Sequence, residues 1–192
     1  MRMLSVPALA AFVLATAATP AFAHTAGGDF ASFASGIMHP IFGLDHLLAM
    51  VAVGLWACML GRRALWIVPA AFVAMMAVGF GLASLQVSLP VVEPVILASV
   101  VVLGLAVAFA AKLDVRAAAG VVGLFALFHG HAHGAELGEA GMMQFAVGFL
   151  AATALLHGVG VGLGRIVGQA AGVLPRALGG LTAFAGLALA FA

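Results

Sequence analysis

Imidazole and carboxylate groups crowd two short stretches of an otherwise apolar chain. One reads His39-Pro40-Ile41-Phe42-Gly43-Leu44-Asp45-His46, the other Phe128-His129-Gly130-His131-Ala132-His133-Gly134-Ala135-Glu136. Nitrogen and oxygen donors of this kind suit divalent first-row transition metals. A carboxylate at the centre of a membrane span costs roughly 2.5–3.5 kcal/mol, so intramembrane ionisable groups point to function. The chemistry expected is coordination of a metal cation within a membrane.

Spacing sharpens this expectation. At about 100° per residue, positions seven apart return to nearly one helix face. His39 and His46 are therefore expected on one face of one helix, with Asp45 beside them. Pro40 removes a backbone donor and Gly43 permits a bend, so the helix should be loosened between them. His129, His133 and Glu136 should likewise line one face, and two histidines at i and i+4 recur as a chelating pair. His131 is rotated about 200° from His129 on the same geometry and should point elsewhere.

Two further histidines are weaker candidates. His157 could act as an inner relay, the bland alternative being a hydrogen-bonded packing residue. His24 would become N-terminal if a leader were removed after Ala23, offering an α-amine and an imidazole for metal capture. Met38 and Met50 adjoin the first cluster and are expected to be core packing.

The elements that must position these groups are membrane helices. Of 192 residues, 66% are hydrophobic and only 7% charged, where soluble domains carry about 25% charge. Mean hydropathy is +1.29. A net charge of +1 without a dense basic patch gives no reason to expect a nucleic-acid partner, and the single cysteine, Cys58, excludes an intrachain disulfide. Residues 1–23 read as a signal peptide: Arg2, an apolar run from Leu4, and the small-x-small site Ala21-Phe22-Ala23. Residues 24–192 would then form one transmembrane domain.

Six apolar segments follow, at about 33–60, 64–85, 91–111, 115–134, 142–164 and 176–192, each near the ~20 residues that cross a bilayer as a helix. Arg62 and Arg63, Lys112 and Arg116, and Arg165 and Arg176 fall in the first, third and fifth breaks; Glu93, Glu136 and Glu139 fall in the second and fourth. Basic residues collect on the cytoplasmic side, so both mature termini should lie outside. The fold class expected is all-α, a compact bundle of six transmembrane helices. Trp56 and Trp66 flank the first basic turn and should anchor at the interface. Gly160, Gly164 and Gly168 recur every four residues, with Gly158 and Gly162 on an adjacent row. Such rows allow close helix approach, within one bundle or, as the second reading, in a homo-oligomer.

His39-x-x-x-x-x-Asp45-His46 together with Phe128-His129-Gly130-x-Ala132-His133-Gly134-x-Glu136 resembles the HupE/UreJ family of nickel/cobalt permeases. The likeness extends to the leader, the six spans and the length. It implies an inner-membrane protein of a Gram-negative cell that supplies nickel for hydrogenase or urease. It also implies functional positions at His39, Asp45, His46, His129, His133 and Glu136; His131 fills a variable position and inherits no role.

The function expected is a secondary permease, not an enzyme, that imports Ni²⁺, with Co²⁺ as the alternative cargo, and holds no permanent cofactor. Its partners would be the metal ion and the lipid bilayer. No phosphate-binding glycine loop with Lys-Ser/Thr is present to hydrolyse ATP. The rival class is an intramembrane His/Asp metal-dependent hydrolase, which the absence of serine from both clusters disfavours. A bis-histidine haem protein fits worse, because clustered carboxylates have no place in it.

Overall fold

Seven helices account for nearly all of the described residues. The computed structural model describes residues 29–136, 141–168 and 172–192. The expected signal peptide and His24 lie outside them, as does the side chain of Glu136. The helices are α1 (Asp29–Phe42), α2 (Leu44–Leu60), α3 (Ala64–Ser84), α4 (Val92–Ala108), α5 (Val115–Glu136), α6 (Met142–Gly168) and α7 (Val173–Ala190). No strand occurs among the described residues.

The first expected span is not one helix. Helices α1 and α2 meet at Gly43 with a bend of 76°. Pro40 near the end of α1 has no N–H to give the preceding turn. Gly43 then leaves helical geometry at φ −75° and ψ 106°. The seven-residue face argument cannot cross such a break, so the bend, and not the helical period, brings His39 to His46. Helices α3, α5, α6 and α7 are long and apolar enough to cross a membrane, and the bent pair makes a fifth span if counted as one. Helix α4 has 17 residues, short of the ~20 a span needs, so length and composition alone do not reach six.

Local chemistry closes several helix ends. The Asp114 carboxylate accepts the backbone N–H of Arg116 at 2.9 Å, capping the start of α5. At the end of α4, the Arg176 guanidinium donates to the Ala108 carbonyl at 2.8 Å, where a cation complements the helix dipole.

Close packing then pairs the helices. Gly54 on α2 and Gly160 on α6 lie backbone against backbone, and Gly36 and Gly148 do the same for α1 and α6. The order of these contacts makes the bent pair run parallel to α6. Gly79 and Gly130 join α3 and α5, also parallel; Gly104 and Gly179 join α4 and α7, antiparallel. At each point a Cβ would strike the partner's backbone, so small residues bring the helices together without a hydrophobic driving force. Gly158 and Gly162 face open space, whereas Gly164 packs on Cys58. One glycine row thus serves packing inside the bundle.

The core holds Met50, Trp56, Phe72, Met76 and Phe149, all fully buried, while Trp66, Leu155 and Phe184 are exposed. Trp56 corrects an expectation. Instead of anchoring at an interface, it is buried and its Nε1 donates to the Ala111 carbonyl at 2.9 Å, tying α2 to the segment after α4.

Candidate metal centre

Histidine rings from three helices converge where α1 breaks into α2. One ligand atom from each of His39, His46 and His133 lies within 4.8 Å of the others. His46 Nε2 and His133 Nε2 are 2.7 Å apart, one donating to the other. The His39 ring stands 4.2 Å from that of His133 and 5.6 Å from that of His46. With metal–nitrogen bonds of about 2.0–2.1 Å, as for zinc, two ligands at a right angle lie about 3 Å apart and two opposed ones about 4 Å apart. The three imidazoles are thus within small adjustments of one coordination sphere.

Asp45 stands behind this group. It occupies the first turn of α2, where the helix dipole favours an anion. Its Oδ1 lies 2.8 Å from His46 Nδ1, an ion-pair distance without hydrogen-bond alignment. A carboxylate at the far nitrogen of a coordinating imidazole orients the ring and raises its basicity. Gly43 leaves room for this arrangement, since a Cβ there would come to 3.1 Å from His46 Nδ1 and 3.2 Å from Asp45 Oδ1.

His129 lies deeper and is fully buried, its ring 4.9 Å from that of His46. Its Nε2 is 2.9 Å from Ser99 Oγ. The Ser99 hydroxyl donates its proton to the Ile96 carbonyl at 2.6 Å, so it must accept from His129 Nε2–H. This leaves the lone pair of His129 on Nδ1, which is buried without a hydrogen-bond partner.

The remaining sequence candidates divide. His131 turns away, as its rotation predicts, and its Nε2 meets the Val87 carbonyl at 2.7 Å, pinning the segment after α3. His157 is buried on α6, and neither ring nitrogen has a hydrogen-bond partner among the described residues.

Two residues were missed by sequence reasoning. Ser99 lies in the third apolar segment, remote from both motifs, and no local pattern marks it. Phe149 packs edge-on against His39, His46 and His133, with ring centroids 5.9, 6.0 and 4.8 Å away. Its signal was present: Phe145, Phe149, Thr153 and His157 recur every four residues on α6, and all four are buried. The apolar ring of Phe149 lowers the local dielectric beside the imidazoles, which strengthens electrostatic interactions there.

The sequence is similar to known proteins. The sequence matches the HupE / UreJ protein family over residues 11–189. It is 49% identical over 179 residues to Protein HupE of Rhizobium leguminosarum bv. viciae, covering 92% of this chain and 94% of that one. No solved structure matches. With a match across nearly its whole length and the motif histidines gathered at one point, the chain belongs to the HupE/UreJ family.

Proposed function

We propose that this protein is a secondary permease that admits Ni²⁺, or alternatively Co²⁺, from the periplasm to the cytoplasm. The observation that carries this reading is the convergence of His39, His46 and His133 within 4.8 Å, inside a bundle of apolar helices. Three imidazoles backed by one carboxylate can take a divalent cation from water without holding it as a closed structural site. Conduction requires such intermediate binding. The cation would enter down the membrane potential, worth about 2.3 kcal/mol per charge per 100 mV, or in exchange for protons.

On this reading the mature chain, residues 24–192, is a six-span bundle in the inner membrane, with the signal peptide removed after Ala23 and both mature termini outside. The helix directions support that topology. Alternating spans require the first and fifth to run inward together, the second and fourth outward together, and the third and sixth in opposite senses. The glycine contacts pair these spans in those senses. Glu136, seven residues after His129 on α5, would supply a second carboxylate at the outer mouth. The cargo would serve hydrogenase or urease maturation.

The hydrolase alternative finds no support in Ser99. Its hydroxyl donates to Ile96 and accepts from His129, the reverse of the relation by which a base activates a serine.

The test is accumulation of labelled Ni²⁺ in cells that lack nickel importers. Cells expressing the protein should accumulate Ni²⁺ well above vector controls, and His133→Ala should abolish the excess. Uptake equal to vector at verified membrane expression would contradict the proposal.

A further inference from the structure

Below the histidine cluster, α2, α3 and α6 present a second set of donor groups. One turn on from His46, Met50 is fully buried; one turn on from Phe149, so is Thr153; Met76 is fully buried on α3. The Thr153 hydroxyl lies 3.4 Å from Met50 Sδ and 3.8 Å from Met76 Sδ, so three helices place two thioethers around one hydroxyl. A further turn along α6 stands His157, 1% exposed, with neither ring nitrogen partnered. A buried imidazole nitrogen that no described side chain meets is available to a water or a cation. Phe72 lies between the levels, its ring 5.7 Å from His129 and 5.0 Å from His157.

His157 also reaches a cavity. About 440 Å³ of space between α3 and α6 is lined by Trp66, Pro69, His157, Val161 and, at its far end, Arg165. Trp66 and Arg165 are exposed, so this space leads from a buried imidazole toward the end of the bundle that carries the basic residues.

We propose that Met50, Met76, Thr153 and His157 form a second, inner station at which the transported divalent cation pauses between the histidine cluster and the cytoplasm. This rests on the permease reading and deepens it. The outer group has Asp45 at its back; the inner group has only neutral donors, and thioethers are soft ligands that hold Ni²⁺ or Co²⁺ weakly. A weaker inner station favours release. No bond other than metal–ligand bonds is made or broken; each donor lends a lone pair and keeps its protons.

The test uses the full chain in liposomes with a Ni²⁺-sensitive dye inside. His157→Gln keeps the bulk and the hydrogen-bonding capacity of the side chain but no imidazole, and the double variant Met50→Leu with Met76→Leu conserves volume. A packing role would tolerate both. The inner station predicts a maximal rate at least tenfold lower for His157→Gln and several-fold lower for the double variant. Half-saturation, set by the outer cluster, should stay within twofold, and so should Ni²⁺ binding in detergent. Wild-type rates in both variants would overturn the inner station while leaving the permease reading intact. No Ni²⁺ or Co²⁺ movement by the wild type would overturn both. If His157→Gln does not fold, the double variant decides, because Leu for Met leaves the core filled.

Discussion

His46 Nε2 and His133 Nε2 lie 2.7 Å apart although 87 positions separate the two residues in sequence. Two imidazole nitrogens this close share one proton in the absence of a better electrophile, and a divalent cation is a better one. Removing either ring should therefore damage binding far more than folding. His46→Ala and His133→Ala are each expected to lower Ni²⁺ affinity by at least tenfold, measured by equilibrium dialysis on purified protein. Elution as a monodisperse peak would show that the fold survives.

Asp45 acts through His46 on this account. Asp45→Asn removes the charge behind the imidazole and should cost about 10–100-fold in affinity or uptake, the usual effect of disturbing a partner of a coordinating histidine. The measurement is half-saturation for Ni²⁺ uptake. An unchanged value would place Asp45 outside the site.

Ser99 sets the tautomer of His129. Ser99→Ala leaves Nε2 without its acceptor and frees the ring to turn, so uptake should fall by about 10–100-fold. Ser99→Thr retains the hydroxyl and should recover much of the loss. Equal activity of the Ala and Thr variants would remove the tautomer argument.

Gly130 on α5 packs on the Met76 backbone with no space for a Cβ, whereas Gly158 has nothing within 4 Å of that position. Gly130→Ala should destabilise the bundle by about 1–3 kcal/mol, as overpacking does. Gly158→Ala should be neutral or slightly stabilising, because alanine is the better helix former. Thermal unfolding in detergent separates the two.

Acidification should oppose uptake. Metal binding requires imidazole lone pairs, for which protons compete. The initial rate at limiting Ni²⁺ is expected to fall as external pH is lowered, and recovery at higher Ni²⁺ would mark the competition as one for the site.

The two motifs were legible in the sequence because histidine and aspartate stand out against apolar residues. The apolar segments from residue 64 onward were legible as helices because charges interrupt them, whereas a count of six spans is not reached by length and composition. What local pattern could not carry was the third dimension. The 76° break at Gly43 was foreshadowed by Pro40 and Gly43, but a bend's angle depends on what packs against it, here α6. Ser99 reaches His129 only because α4 folds beside α5, and one serine in an apolar segment leaves no periodic trace. Trp56 was misplaced for a similar reason: nearness to a basic turn suggested an interface, while its ring packs in the core and its Nε1 reaches the distant Ala111 carbonyl.

On the permease reading, α1, α2 and α5 contribute their histidines to one metal ion. X-ray absorption of the purified protein with one equivalent of Ni²⁺ tests it directly. Three imidazoles are expected around the metal, falling by one in His39→Ala and in His133→Ala. A spectrum of water and carboxylate oxygens alone, unchanged by both substitutions, would contradict it.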